Sequence, residues 1–338
     1  MLGTRGRELG KQRQSAMDDS RTCIVITDCD HGSIEPERQI AREAGVRLVA
    51  ARCTDEDSVI SAGRQADGLI VQYAPVTARV LDALPRLRVV SRYGVGVDTI
   101  DVDAARAHGV RVCHVPDYCT EEVSDHAIAM ALAMLRGLPL LDRQMRAGET
   151  GFDMVKPVHR FRDQIFGVVG LGRIGQATAA KAQSLGFDVV AYARSLRTPP
   201  VGLYGIELIG LDALLRRADV VSLHVPLVPA TRHLINAEKL VLLRPQAVLV
   251  NTSRGGLVDT EALMDAVQQR RIRGAALDVF EEDPLPGEDR LRSLPGVLLT
   301  PHVGWYSEKS FLLLKQQAAE NAIAVCLDRQ LPKGMMLA

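Results

Sequence analysis

From Arg21 onward, short apolar runs alternate with amphipathic stretches: CIVITD, a helical segment through Ala44, VRLVAA, a second helix, GLIVQY, a third, LRVVSRY, a fourth, and VRVCHV. Apolar positions within these runs do not alternate with polar ones. That pattern suits strands buried on both faces, hence a parallel sheet with crossover helices. The segment Glu121 to Gly148 carries Ala and Leu at helical spacing and is too long for an ordinary crossover, so it is expected to link two lobes. A second strand and helix series follows it: FGVVG, a helix, DVVAYA, VVSLHV, AVLVNTS, GAALDV and VLLTP. A last helix, from about Glu308 to Leu327, is expected to pack back on the first lobe. The pattern therefore predicts an α/β chain with two doubly wound parallel sheets. The first lobe is formed by 21–118 plus 305–338, with the second, 119–304, inserted in it. Residues 1–20 lack apolar periodicity and are expected to be a disordered tail, unable to offset their ordering entropy.

Composition narrows the function classes. The 338 residues hold 41 basic and 41 acidic side chains, and this balance argues against a grip on nucleic acid or an anionic membrane. No apolar run approaches the roughly 18 to 20 residues that cross a bilayer, and the start lacks a secretory stretch. The chain reads as cytoplasmic. Its 6 cysteines and 8 histidines are scattered without metal-ligand spacing, so no metal is expected.

One motif carries cofactor chemistry. Gly170-Leu171-Gly172-Arg173-Ile174-Gly175 is a GxGxxG straight after the strand FGVV and ahead of the helical run IGQATAAKAQSL. In that context Gly170 makes the tight turn, Gly172 lets a pyrophosphate approach, and Gly175 lets the helix press on the sheet. Arg173 and Ile174 open the helix whose first amides face the anion. The second lobe is thus expected to be a Rossmann cofactor domain, inserted in a flavodoxin-like substrate domain. The next strand, Phe187 to Ala193, ends without the acid that bonds the ribose of NAD. Arg194, Ser195 and Arg197 stand there instead, so a 2′-phosphate would be paired rather than repelled, and NADP is favoured over NAD.

Three polar residues fall where strands of the second series end, the place where open α/β sheets bind ligands. They are Arg254 in NTSRGG, Asp283 in EEDP and His302 in TPHVGW. Each alone is unremarkable. With their flanks they resemble the D-2-hydroxyacid dehydrogenase family, which carries NTSRGG, then LDVF with an acid before Pro, then TPH. The resemblance extends through VQYAPVT, SRYGVGVD, HVPDYCTEEVSDHA, VVGLGRIGQ, HVPLVPATRHLI, GGLVDTEAL and HVGWYSEKS, nearly the whole chain after the tail. DYCTEEVSDHA and HVGWYSEKS look most similar to its C-terminal-binding-protein-like branch.

The resemblance implies an NAD(P)-dependent oxidoreductase interconverting a small 2-keto acid and its D-2-hydroxy acid, commonly a homodimer. Arg254 would hold carboxylate and ketone oxygen with its planar fork. His302 would exchange a proton with that oxygen, and a neighbouring acid would fix its tautomer. Asp283 is the candidate acid. The commoner family pattern has Glu at this position, so the shorter Asp implies either a closer loop or a longer contact. The resemblance also puts the substrate carboxylate on the amides of Val95 and Gly96. Thr252, Ser253 and Asp278 match nicotinamide-side positions, while Pro226 and Thr231 match the adenosine side. Trp305 and Tyr306 are expected either to wall the substrate pocket or to fill core. Two other functions fit the scaffold: a nucleotide-sensing corepressor-like protein with little activity, and oxidation of another small anion such as formate or phosphite.

Overall fold

The computed structural model describes residues 22–30, 32–194, 205–331 and 335–337; the 1–20 tail, Ser195 and Arg197 lie outside the described residues. The chain divides into two compact units. One ends at Tyr118 and resumes at Glu308, and the other runs from Cys119 to Ser307.

In the first unit β1 (Cys23–Ile26), α1 (Glu35–Ala44), β2 (Arg47–Ala50), α2 (Glu56–Gly63), β3 (Gly68–Val71), α3 (Ala78–Ala83), β4 (Val89–Arg92), α4 (Val102–Ala107) and β5 (Arg111–Cys113) alternate. The strands lie in the order β2-β1-β3-β4-β5, all parallel. That is the flavodoxin-like order. β1 and β3 are buried throughout, as their unbroken apolar runs require, whereas β2 at the edge is half-exposed. The closing helix, Glu308–Cys326, packs on α1, β3 and β4 of this unit. It carries Lys315, fully buried, whose Nζ lies 3.0 Å from Glu37 Oε1. Tyr93 donates its hydroxyl to the same oxygen at 2.6 Å. The interior charge is thus both paired and hydrogen-bonded, the condition under which burial of ions is tolerated.

The second unit opens with two helices, α5 (Thr120–Leu135) and α6 (Leu138–Arg146). The helical spacing read over Glu121 to Gly148 is thus realised as two helices. Gly137 takes a left-handed φ of 66° and Pro139 starts the next helix, which together end the first. There follow β6 (Ile165–Val169), α7 (Arg173–Ser184), β7 (Asp188–Tyr192), β8 (Glu207–Leu208), α8 (Leu211–Arg217), β9 (Val220–Leu223), α9 (Ala237–Leu240), β10 (Val248–Asn251), α10 (Thr260–Gln268), β11 (Gly274–Leu277) and β12 (Val297–Leu299). The sheet order is β12-β11-β10-β9-β6-β7-β8, with every pairing parallel. This is the doubly wound Rossmann arrangement with one further strand. β8 is a strand the apolar pattern did not predict, since two residues display no periodicity. Strand order reverses between β6 and β9, which opens a crevice at their carboxyl ends. α5 packs on α7, β10 and β11, so it belongs to this unit. Among the described residues no helix is long and apolar enough to cross a membrane.

Candidate active site

The glycine motif sits at the switch point of the second sheet. Gly170 follows β6 with φ 102°, and a Cβ there would stand 2.5 Å from the carbonyl oxygen of His224, which follows β9. A Cβ on Gly175 would meet Gly170 O at 1.9 Å, so only glycine lets α7 press this closely on the turn. Gly172, by contrast, has no atom of the described residues within 4 Å of where its Cβ would be. It is the N-cap of α7 without a side-chain cap, which leaves the first-turn amides and the positive dipole end for a ligand anion. Arg173 is exposed and Ile174 half-buried at the head of that helix. Two buried polar atoms at neighbouring strand ends, His224 Nδ1 and Thr252 Oγ1, have no hydrogen-bond partner among the described residues. An open glycine cradle, an uncapped helix start and orphaned polar atoms together fit a dinucleotide.

The loops after β10, β11 and β12 hold the three expected polar residues. Asn251, at the end of β10 and buried, uses its amide twice: it donates to Arg254 O at 2.8 Å and accepts from Ser253 N at 3.1 Å. Ser253 in turn donates to Leu223 O at 2.7 Å. Asn251 and Ser253 therefore fix the backbone that presents Arg254, a part in the site that the sequence reading did not assign to Asn251. Gly255 lies so close to the next loop that a Cβ would fall 1.8 Å from the carbonyl carbon of Phe280. The Arg254 loop is thus pressed against the segment that leads to Asp283.

Asp283 Oδ2 lies 2.5 Å from His302 Nδ1, and both side chains are about one-third exposed, 30% and 31%. The shorter acid thus reaches the ring without a longer contact. Glu281 is engaged elsewhere, 2.9 Å from His233 Nε2 and accepting from Thr260 N at 3.0 Å. His302 has a φ of 53°, an uncommon conformation for a non-glycine residue. Its carbonyl accepts the indole N–H of Trp305 at 2.9 Å. Trp305 is half-buried and stacks edge-on with Tyr306 at 5.7 Å, so its ring belongs to the histidine turn.

Asp278 is spent on that same turn. Its Oδ1 accepts from Val303 N at 2.9 Å and from Thr300 Oγ1 at 2.5 Å, and its Oδ2 accepts from Gly304 N at 2.8 Å. Burial pushes its carboxyl up, but hydrogen bonds from His126, Thr300 and the two amides outweigh this and leave it below the ordinary value. Thr231 stitches the loop after β9 by donating to Pro226 O at 2.6 Å and accepting from Val228 N at 2.9 Å. Arg194 is exposed just past β7. Val95 and Gly96 belong to the first unit, in the turn after β4, where Val95 O accepts from His114 Nδ1 at 2.8 Å.

His224, beside the glycine turn, is 2.8 Å from Ser222 Oγ, and burial pushes its ring down from 6.5 to about 4. The unfolded chain therefore takes up the proton first as pH falls. The stability given by the neutral ring is complete above 6.5 and is lost as pH drops to about 4, at up to about 1.4 kcal/mol per pH unit. Urea unfolding across that window should show a shallower pH slope in His224→Asn than in the wild type; equal slopes would contradict the burial argument.

Comparison with known proteins places the chain in a family. Residues 128–304 match the model described as D-isomer specific 2-hydroxyacid dehydrogenase, NAD binding domain. The D-3-phosphoglycerate dehydrogenase of Methanocaldococcus jannaschii is 36% identical over 303 residues, which is 89% of this chain and 56% of that protein. The chain thus spans little more than half the length of that relative. The glyoxylate reductase of Korarchaeum cryptofilum is 39% identical over 253 residues, 74% of this chain and 76% of its own. Among solved structures, an acyclic imino acid reductase with NADPH and D-Arg has a TM-score of 0.84, 26% identity and coverage of 94% and 100% of the two chains. The D-lactate dehydrogenase of Aquifex aeolicus with NAD and lactic acid has a TM-score of 0.80 and 27% identity, covering 91% and 96%. The chain belongs to the D-isomer specific 2-hydroxyacid dehydrogenase family.

Proposed function

We propose that this chain is an NAD(P)-dependent oxidoreductase that interconverts a small 2-keto acid and its D-2-hydroxy acid. The observation that carries this reading is the His302 Nδ1 to Asp283 Oδ2 contact of 2.5 Å at the carboxyl edge of a dinucleotide-type sheet. A carboxylate only accepts, so Nδ1 holds a hydrogen and Nε2 is left to exchange a proton with the substrate oxygen. Asp283 also stabilises the ring while it is charged. Arg254, on its fixed loop, binds the substrate carboxylate and polarises the ketone. A nicotinamide dinucleotide, when bound, supplies the hydride or accepts it. Val95 and Gly96 offer amides to the substrate carboxylate. Thr252, Ser253 and Asp278 serve the nicotinamide side, Pro226 and Thr231 the adenosine side, and Trp305 lines the substrate site. The phosphoglycerate dehydrogenase and glyoxylate reductase relatives support a small anionic substrate.

We favour NADP over NAD because β7 ends without a carboxylate and Arg194 follows it, exposed. One structural neighbour holds NADPH and another NAD, so the preference rests on this chain's own residues. A 2-keto acid panel with glyoxylate and hydroxypyruvate, run with both reduced cofactors, tests these assignments together. Wild type should turn over faster with NADPH, Arg194→Asp should move the ratio toward NADH, and His302→Ala should lose about 100-fold or more in kcat. Silence across the panel would sink the reading and favour a nucleotide-sensing binding protein, the alternative suggested by the DYCTEEVSDHA and HVGWYSEKS segments. An unchanged cofactor ratio in Arg194→Asp would sink the NADP preference alone.

We assign a homodimer contact to α6 and the segment after it. The helix has no buried residue, and Leu138, Met145, Phe152 and Met154 are 54 to 63% exposed. Such an apolar face on a water-facing helix is an association surface. Sedimentation should give twice the monomer mass for wild type and a monomer for Met145→Glu; a monomeric wild type would remove the assignment.

A further inference from the structure

The His302 turn is held from beneath by one face of α5. Glu122, His126 and Met130 recur every four residues on that helix, so they share one face. Each reaches the segment around the turn. Glu122 Oε1 accepts from Ser307 Oγ at 2.6 Å, His126 Nε2 is 3.0 Å from Thr300 Oγ1, and Met130 Sδ is 4.0 Å from the same hydroxyl. His126 Nε2 is also 3.5 Å from Asp278 Oδ1.

The proton inventory of this cluster gives His126 a definite part. Thr300 has one hydroxyl hydrogen, and at 2.5 Å from the carboxylate oxygen of Asp278 it is donated there. The Thr300 oxygen is then an acceptor toward His126, so Nε2 carries the hydrogen. The chain of donors runs from His126 through Thr300 to Asp278, whose two oxygens also receive Val303 N and Gly304 N. These amides flank His302 on its C-terminal side, and Thr300 lies two residues before it. His302 itself has the unfavourable φ of 53° and persists there only because its neighbours are fixed on both sides.

We propose that His126 is a positioning residue for the reaction: its Nε2–H, shared between Thr300 and Asp278, holds the turn that presents His302. The inference rests on the proposed oxidoreductase reading for its kinetic arm. It also has a second readout, because Trp305 is the chain's only tryptophan and its indole is bonded to the carbonyl of His302. Emission from this one residue reports the turn directly.

The test compares His126→Leu, His126→Gln and Thr300→Val in the full chain. His126→Leu removes the donor, and His126→Gln replaces it with an amide N–H at matching reach. Thr300→Val deletes the relay hydroxyl at nearly constant shape, and it keeps the question open to refutation if the leucine variant does not fold. A displacement of reacting groups by about 1 Å can cost about 100-fold in rate, so kcat should fall about 10- to 100-fold in His126→Leu and Thr300→Val. Dinucleotide affinity should fall far less than kcat, since the glycine cradle is untouched, and His126→Gln should recover most of the rate. Trp305 emission should shift to the red in both slow variants and return in His126→Gln. Turnover and emission in His126→Leu and Thr300→Val equal to wild type would overturn the inference. So would a glutamine variant as slow as the leucine one. If wild type reduces no 2-keto acid, the oxidoreductase reading fails by itself, while the emission comparison still decides whether His126 holds the turn.

Discussion

The hydrogen bond between Asp283 Oδ2 and His302 Nδ1 is the contact on which the account of this molecule depends. It joins residues 19 apart on two loops, and it exists because both loops are constrained from behind. Phe280 and Glu281 are brought to the Arg254 loop by the missing side chain at Gly255, which sets where the acid begins. The histidine turn is bound to the carboxylate of Asp278 through two amides and one hydroxyl. Neither partner of the pair is buried, so the surrounding backbone rather than exclusion of water gives the contact its geometry. An exposed ion pair standing alone would contribute about 0 to 1 kcal/mol and would not hold a tautomer reliably.

The cofactor side follows the same logic of backbone proximity. The crevice at the switch point exists because β9, and not β7's sequence successor, lies beside β6. The glycine turn closes on His224 from the neighbouring strand. Only residues lacking a Cβ can occupy that space at positions 170 and 175, whereas position 172 is open among the described residues, a room that fits the approach of a dinucleotide's phosphates. A chain of balanced charge can therefore attract an anionic dinucleotide without any surplus of basic residues, because helix amides and local dipoles supply the attraction.

Much of this was legible in the sequence because the relevant signals are local. Unbroken apolar runs such as CIVI and GLIV announce strands buried on both faces, and the two parallel sheets bear that out. GxGxxG between strand and helix reports its own geometry within six residues. What escaped the reading is either very short or very long in range. β8 is two residues long, and the break between α5 and α6 hangs on the left-handed Gly137 and on Pro139 in a run that otherwise keeps helical spacing. The contact of His126 with Thr300 spans 174 residues. A histidine on a helix face next to alanines gives no hint of such a partner. Asn251 carries no signal in the sequence beyond a strand end, although its amide fixes the Arg254 backbone. Nothing in its own segment marks Asp278 as the anchor of the histidine turn, since Thr300, Val303 and Gly304, three of its donors, lie 22 to 26 positions further along.

The most direct measurement is the side-chain nitrogen spectrum of His302 in the neutral ring, recorded on wild type and on Asp283→Asn. In the wild type the hydrogen should sit on Nδ1, leaving Nε2 bare, and the asparagine variant, whose amide can donate as well as accept, should lose this exclusive preference. A wild-type ring with its hydrogen on Nε2 would contradict the account, for no proton could then be taken up at the atom said to face the substrate.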